Sequence, residues 1–231
     1  MKSRYSRNVT VIGAAGQDRL ARAAVMIVGC GALGGQLAML LAGAGVGRIG
    51  IADFDTIDIT NLQRQLFFSE AQAGKGKAAI IGERMEALNS EIEVEVYQEM
   101  ITQRNAEDIF SRYDLIIDAT DNPATKYFID SVTRRLGLPC CIGGVAGWRG
   151  QVVMLSGSGD SLRYSDIFSR PDADPSMMPC EIEGVMGPAA STIASLQAAE
   201  AVKWLIADEA DRRPVMISVD LSAPSFNVME L

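Results

Sequence analysis

Five short apolar runs, separated by longer stretches with helical spacing of apolar residues, dominate the first part of the chain. Such runs predict buried strands, and the spacing between them predicts amphipathic helices. The predicted strands are 25–28, 49–52, 94–97, 115–119 and 139–142. Strands that alternate with helices indicate an α/β fold of the Rossmann type, with a doubly wound and mostly parallel sheet.

The pattern changes after Gly150. A long alanine-rich helix is predicted at about 189–207, directly after Pro188, because proline suits a first helical turn. The stretch 156–179 is rich in Gly, Pro, Ser and Asp, a composition that predicts a mobile loop. Three further strands, expected to extend the same sheet with some antiparallel pairing, are predicted at 151–155, 215–219 and 225–228.

A glycine-rich turn, "VGCGALGG", follows the first predicted strand and precedes a helix. Gly29, Gly31 and Gly34 have the G-x-G-x-x-G spacing, which lets the backbone approach a phosphate at a helix N-terminus. Asp53 ends the second strand, where a carboxylate accepts the hydroxyls of a ribose. We therefore predict a nucleotide site. The alternative is that the glycines only allow close packing of the helix on the sheet.

Charged residues follow three successive strand ends. Arg64 lies in the loop "TNLQRQLFF", Lys77 ends the sequence "GKGK", and Asp121 lies in "DATDN". Cations there would bind a polyphosphate and stabilise departing pyrophosphate, and Asp121 could hold magnesium. Each residue also has a structural alternative: a solvated loop arginine, a surface lysine and a helix N-cap. Their shared sheet edge favours the functional interpretation.

Composition narrows the function further. The 231 residues, 48% of them apolar, can bury a full core, so we expect one domain over 1–231, with a helical segment 1–23, a nucleotide-binding half 24–143 and a second half 144–231. A formal charge of −8 argues against binding to nucleic acid or anionic membranes. Without an export signal or an apolar span, a cytoplasmic protein is expected.

Histidine is absent, which removes serine–histidine triads and the commonest general base. The sequence also disfavours a nicotinamide dehydrogenase, since no tyrosine is followed four residues later by lysine. The four cysteines, none of which form a two-residue clasp, predict no zinc site: Cys30, Cys140, Cys141 and Cys180.

Together these blocks resemble the MoeB/ThiF/HesA family, the bacterial relatives of ubiquitin-activating enzymes. The matching blocks, in the family's order, are "RYSR", "GCGALGG", "AGVG", "DFDTIDITNLQRQ", "GKGK", "DATDN", "CEIEGVMGP" and "SLQAAEAVKWL". The resemblance implies ATP-dependent adenylation of the C-terminal glycine of a ubiquitin-like sulfur-carrier protein ending in Gly-Gly, with release of pyrophosphate. Such carriers, similar to ThiS or MoaD, serve thiamine, molybdopterin or related biosynthesis.

The resemblance also assigns residues. It implies that Arg7 reaches into the site of a partner subunit in a homodimer, that Asp121 binds Mg²⁺, and that Cys180 matches a thiol that takes the acyl group or joins sulfur transfer in some members. The second half, 144–231, then binds the carrier. Positions implied to bind ATP are Gly29, Gly31, Ala32, Gly34, Asp53, Asn61, Leu62, Gln63, Arg64, Lys77, Asp121 and Asn122. Those implied to act in catalysis are Arg7, Arg64, Lys77, Asp121 and Cys180.

Several features depart from the family or leave alternatives open. The paired C-x-x-C zinc motifs of many relatives are missing, and Ala32 replaces a glycine, a mild change if its φ is negative. No rhodanese-like extension follows, so a separate sulfur donor protein is expected. The span 156–179 is a candidate lid over the reactive acyl phosphate. Open alternatives are adenylation of a nucleoside carboxylate in transfer RNA, an NAD-binding Rossmann protein and a scaffold.

Overall fold

The computed structural model describes residues 3–158, 162–168 and 184–231. Its strands are β1 Ala24–Val28, β2 Arg48–Ala52, β3 Glu93–Tyr97, β4 Leu115–Asp118, β5 Cys140–Ala146, β6 Arg149–Leu155, β7 Val215–Asp220 and β8 Ser225–Glu230. Its helices are α1 Ser6–Arg22, α2 Gly34–Ala44, α3 Lys77–Leu88, α4 Ala106–Phe110, α5 Pro123–Leu136, α6 Tyr164–Ile167 and α7 Gly187–Ile206.

All eight strands form one sheet in the order β3-β2-β1-β4-β5-β6-β7-β8. The first five run parallel, and β6, β7 and β8 continue the sheet with antiparallel pairing. Both the doubly wound parallel sheet and its antiparallel extension are thus confirmed. The order in which strands are added to the sheet reverses at β1: β2 and β3 lie on one side of β1, and β4 and β5 lie on the other. In such sheets, ligands bind beyond the carboxyl ends of the strands at this point.

The strands β1 and β4 are buried throughout, and apolar except for Asp118 at the end of β4, because helices cover both faces of the sheet. Every residue of β1 is buried, and so is every residue of β4. One face packs against α1, α2, α3 and α7 through residues such as Leu37, Ile81 and Ile193. The other packs against α4, α5 and α6 through residues such as Phe110, Ile129 and Tyr164. This burial fixes the strand ends that carry the candidate site.

Strand β5 is longer than the pattern predicts. The apolar run at 139–142 ends before Gly143 and Gly144, yet both glycines pair with β6. A side chain on Gly143 would overlap the end of the Gln197 side chain of α7, so the glycine leaves the space that Gln197 occupies. In the sequence pattern, the glycines at this close contact between helix and strand are therefore interpreted as the end of the strand.

The remaining sequence predictions have mixed outcomes. Helix α7 begins two residues before the predicted start, with Pro188 in its first turn. Within the predicted loop 156–179, residues 164–167 form the helical turn α6 and Tyr164 is buried. The rest of that prediction, at 159–161 and 169–179, lies outside the described residues. No helix among those described is long and apolar enough to span a membrane.

Candidate active site

The glycine turn follows β1 at the reversal point of the sheet. Gly29 has φ +94°, which favours glycine, and its amide donates to the carbonyl of Ala52 over 2.8 Å. A side chain on Gly34 would overlap the carbonyl oxygen of Gly29. Two of the three motif glycines are therefore favoured by the structure, Gly29 by its backbone conformation and Gly34 by its contact within the turn. No described residue other than glycine has positive φ, so Ala32 has the negative φ that makes its replacement mild.

The carboxylate of Asp53 is held against the glycine turn. One oxygen accepts the amide of Cys30 over 2.7 Å, and the other accepts the amide of Asp55 over 2.8 Å. Burial raises the pKa of Asp53 above its ordinary value, while these two amides offset part of the shift. Each oxygen keeps a second lone pair, so the fixed carboxylate can still accept hydroxyl groups.

Lys77 begins α3 and is only 6% exposed. Its ammonium lies 3.0 Å from the carboxylate of Asp55, and its backbone amide donates to the Asp55 carbonyl. A backbone bridge between Thr56 and Gly76 holds the "GKGK" segment against the loop after β2. The alternative of a surface lysine is therefore wrong, because Lys77 is a buried cation beside the loop that Asp53 starts.

The loop that carries Arg64 is held by its backbone. Asp58 caps its short helical turn by accepting the Thr60 amide and hydroxyl, and these bonds lower the pKa of Asp58. The amides of Arg64 and Gln65 both donate to the carbonyl of Asn61. The guanidinium makes one bond of 3.3 Å, to the Thr60 carbonyl, and has no carboxylate partner in the described chain. The loop is ordered while the charged group remains available.

Side chains next to Arg64 join this loop to the glycine turn and to α7. Gln63 donates to the Val185 carbonyl over 3.3 Å, and a side chain on Gly187 would lie 3.0 Å from the Gln63 carbonyl oxygen. Gln65 is buried, its amide nitrogen lies beside Gly31, and its Oε1 atom lacks a partner among the residues described. The sequence predictions give Gln65 no role, because its burial, which distinguishes it from an ordinary loop glutamine, is visible only in the structure.

Asp121 and Asn122 follow β4, the neighbour of β1. The side chain of Asn122 caps α5 by accepting the amide of Ala124 over 2.8 Å. The N-cap alternative for Asp121 is therefore wrong. Its carboxylate is exposed and makes no hydrogen bond or ion pair within the described part of the chain. No group of three or more His, Cys, Asp or Glu side chains that could hold a metal lies among the described residues, so Asp121 would be one ligand of a Mg²⁺ ion that also binds waters and substrate phosphates.

Arg7 lies on α1, near the end of α2 that is farther from the glycine turn. The adjacent Asn8 donates to the carbonyl of Ala44, the last residue of α2, whereas α2 begins at the glycine turn. At 1.5 Å per residue, the 11 residues of α2 span about 16 Å. The structure therefore brings together the glycine turn, Asp53, Lys77 and the Arg64 loop, places Asp121 on the adjacent strand end, and separates Arg7 from them.

The cysteines divide in a different way. Cys30, Cys140 and Cys141 are buried, and burial raises the pKa of each thiol, in Cys140 to about 12. Such thiols are packing residues, as the sequence indicated. Cys180 lies outside the described residues, so its predicted covalent role is not tested.

Two hollows, of about 500 and 450 Å³, open elsewhere on the described surface. One lies beside Trp204 and the other beside Tyr127. Neither contains a residue that the sequence predicts for the site. The site is therefore assigned from the chemistry that converges at the sheet edge, not from cavity volume.

A buried polar cluster behind Asp121 was missed by the sequence predictions. Asp118 ends β4 with its side chain fully buried, and the ammonium of Lys126 lies 2.8 Å from its carboxylate. Gln197 of α7 donates to the backbone carbonyl of Asp118. Lys126 follows Asp118 by 8 positions, but Gln197 follows it by 79, so no local pattern could indicate the cluster.

Known proteins are similar to this chain in sequence and in fold. The sequence profile of the ThiF family matches residues 5–231. The chain is 38% identical over 209 residues to adenylyltransferase and sulfurtransferase MOCS3 of Anopheles gambiae, with 90% of this chain but only 47% of that protein aligned. A sulfur carrier protein adenylyltransferase of Thermus thermophilus is 36% identical over 210 residues, covering 88% of this chain and 77% of that protein.

Among solved structures, E. coli MccB bound to succinimide has the same fold. Its TM-score is 0.83 at 24% identity, with 100% of this chain and 72% of MccB covered. The chain spans about half the length of the MOCS3 relative. The profile match over almost the whole chain confirms the resemblance noted in the sequence, and the protein belongs to the ThiF family.

Proposed function

We propose that this protein is an adenylyltransferase that uses ATP to activate the C-terminal glycine carboxylate of a ubiquitin-like sulfur-carrier protein. The observation that carries the proposal is the assembly of the glycine turn, Asp53, Lys77 and the Arg64 loop at one edge of the sheet. Two relatives named as an adenylyltransferase and sulfurtransferase and as a sulfur carrier protein adenylyltransferase support it.

The proposed reaction needs little proton transfer. A carboxylate oxygen of the carrier's terminal glycine attacks the α-phosphorus of ATP, and the bond from that phosphorus to the β-phosphate bridging oxygen breaks. Pyrophosphate leaves with the electron pair, and an acyl adenylate remains. Because the attacking carboxylate is already ionised near neutral pH, a site without histidine suits this chemistry.

The chain's main contribution is charge at fixed positions. Asp53, oriented by two backbone amides, accepts the ribose hydroxyls. The available guanidinium of Arg64 binds phosphate oxygens, where charge develops on the leaving group. Lys77 adds a buried positive charge, which Asp55 positions at 3.0 Å. Asp53 and Lys77 are held by these contacts before ATP arrives, so little reorganisation of these two groups is needed during the reaction.

Asp121 is the residue that would hold Mg²⁺, and Asn122 beside it is committed to capping α5. When bound, the ion would reduce the repulsion between the attacking carboxylate and the triphosphate. This assignment depends on the exposed, unpaired carboxylate of Asp121 within the described chain.

Two composite sites in a homodimer belong to the same proposal. Arg7 lies on α1 beside Asn8, which contacts the last residue of α2, and that end of α2 is about 16 Å from the glycine turn along the helix. It is exposed, so it remains free to enter the site of a second copy. The position of Arg7 supports a dimer because the residue cannot serve its own site from there.

The half 144–231 is proposed to bind the carrier. Phe226 and Val228 of β8 pair with the buried Val219 and Ile217 of β7, yet they are themselves exposed. The apolar face of the sheet thus continues onto an uncovered edge strand, which suits a partner protein. The pathway is proposed to be thiamine, molybdopterin or a related biosynthesis in the cytoplasm, with sulfur from a separate donor protein.

Exchange of labelled pyrophosphate into ATP tests the proposal. We expect exchange only when a carrier ending in Gly-Gly is present. Arg64→Ala and Asp121→Ala should each lower its rate by roughly 10²–10³-fold, the usual loss when one charge-stabilising group is removed. Arg213→Ala, at an exposed arginine before β7, is the control and should retain full exchange.

Full exchange by the Arg64 and Asp121 variants would contradict the site assignment. Exchange stimulated by transfer RNA instead of a carrier would change the substrate. Calorimetry that detects NAD binding and no ATP binding would end the proposal.

A further inference from the structure

Lys126 lies at the centre of the buried cluster behind Asp121. It is 6% exposed, and its ammonium donates to the carboxylate of Asp118 over 2.8 Å, to the carbonyl of Thr120 over 2.7 Å and to the carbonyl of Gly143 over 2.6 Å. An ammonium has three protons. All three therefore have an acceptor inside the protein, and Lys126 has none left for a nucleotide.

The backbone of Thr120 is held from both sides by this ion pair. While Lys126 binds its carbonyl, the free oxygen of the Asp118 carboxylate accepts the Thr120 amide over 3.0 Å and its hydroxyl over 2.7 Å. Thr120 immediately precedes Asp121, so these bonds set the direction in which the chain presents the exposed carboxylate of Asp121.

Gln197 extends the cluster to α7. Its amide nitrogen donates to the Asp118 carbonyl over 2.9 Å, and its side chain occupies the space that a Gly143 side chain would fill. The first turn of α7, at Gly187, contacts Gln63 in the Arg64 loop. The same helix therefore packs against both segments that carry the proposed phosphate and metal ligands.

Stability is a weak explanation for this arrangement. Replacing a buried ion pair by apolar residues is often neutral or stabilising, because removing two charges from water is costly. A buried pair whose bonds converge on one turn of backbone does have a positional effect. Residues that orient a metal-binding carboxylate from behind are known to affect both metal affinity and rate.

We propose that Lys126 is a positioning residue, which with Asp118 holds the 119–122 turn in the single conformation that aims Asp121 at the substrate phosphates. The inference depends on the proposed adenylation for its effect on the reaction. Its structural half, the fixed turn, can be tested in the absence of any reaction.

Four variants test it. Lys126→Met removes the charge at similar length, and Lys126→Arg restores a cation. Thr120→Val removes only the hydroxyl bond to Asp118, so it keeps the ion pair if Lys126→Met fails to fold. Thr133→Val is the matched control, because the Thr133 hydroxyl on α5 is buried but bonds to the carbonyls of Ile129 and Asp130, away from the turn.

Hydrogen–deuterium exchange of the protein without ligands is the first measurement. Peptides covering 119–126 should exchange faster in Lys126→Met and Thr120→Val than in the unmodified protein, with Lys126→Arg between them. In Thr133→Val this peptide should be unchanged. Protection equal to that of the unmodified protein in both Lys126→Met and Thr120→Val would overturn the proposal, and Thr120→Val alone decides if Lys126→Met does not fold.

The second measurement is the Mg²⁺ dependence of pyrophosphate exchange, below the melting temperature of each variant. Loss of positioning should raise the half-saturating Mg²⁺ concentration and lower kcat, by ~10- to 100-fold in total for Lys126→Met, with partial rescue in Lys126→Arg. A purely structural role would lower the melting temperature alone, and that result would overturn the proposal. If the unmodified protein shows no exchange, the proposed function fails, and the hydrogen exchange result still decides the positioning role.

Discussion

The parallel and antiparallel halves of the sheet meet solvent in different ways. In the parallel half every residue of β1 and β4 is buried, since helices cover both faces. In the antiparallel half the residues of β7 alternate between buried and partly exposed, and every residue of β8 is exposed. The centre of the parallel half is therefore a closed core, although its edge strand β3 is partly exposed, and the antiparallel half ends in the exposed strand β8.

This difference is consistent with the two tasks that we propose for the sheet, binding of ATP and binding of the carrier. Polar groups at the ends of β1, β2 and β4 are held by backbone that is itself fixed by burial, as the two amide bonds to Asp53 illustrate. A reaction that depends on preorganised charge suits that edge. An exposed apolar strand instead suits a large partner that associates and leaves.

The largest expected effect is on the free energy of unfolding, which should fall much more for a substitution in the parallel half than for one in β8. Ile117→Ala removes a fully buried side chain from β4 and should lower the free energy of unfolding by about 2–5 kcal/mol. Val228→Ala, at a residue of β8 that is 67% exposed, should change it by less than about 0.5 kcal/mol. Denaturant unfolding measures both, and equal losses would mean that β8 is covered in solution.

Two glycines of α2 sharpen the contrast within the parallel half. Gly34→Ala, whose side chain would overlap the Gly29 carbonyl, should destabilise the protein by about 1–3 kcal/mol and abolish ATP binding. Gly43→Ala, at an exposed position of the same helix, should be neutral or stabilise it by up to about 1 kcal/mol. Thermal unfolding and calorimetry with ATP test the pair; unchanged ATP affinity in Gly34→Ala would place the nucleotide elsewhere.

A charge on the open surface should act on the carrier and not on ATP. Val228→Asp should raise the KM for the carrier by roughly tenfold, about 1.4 kcal/mol, because it places a charge on the apolar edge. The affinity for ATP should not change. Leu88→Asp, on an exposed residue at the end of α3, controls for added charge. If both variants bind the carrier normally, another surface carries the interaction.

The smallest effect concerns pH. Burial raises the pKa of Asp53, so its carboxylate takes up a proton at a higher pH than an ordinary aspartate as the solution is acidified. Protonation removes an acceptor for the ribose hydroxyls, and ATP affinity should therefore fall as the pH is lowered through that window. Calorimetry measures the ATP affinity at each pH. Asp53→Asn should bind ATP weakly, and its pH dependence corrects for the titration of ATP itself. If ATP affinity changes with pH in the same way in both proteins, Asp53 is not the group responsible.

Local patterns determined most of the fold and the types of residue in the site. The strands β1, β2 and β4 follow from runs of apolar residues, and α7 follows from its composition and Pro188. The glycine turn, Asp53 and Arg64 could be located because a motif spans few residues and its chemistry is local. The length of β5 could not be predicted, since the space above Gly143 is filled by Gln197 of α7, which is distant in the sequence.

Tertiary structure alone decided which partners these residues have. Lys126 bonds to Gly143 across 17 positions, and Gln197 bonds to Asp118 across 79. It also decided that Lys77 is buried beside Asp55 and that Arg7 lies near the end of α2 that is farther from the glycine turn. The physical reason is that periodicity reports the faces of one element, whereas a buried hydrogen bond depends on where the sheet order brings two distant elements together.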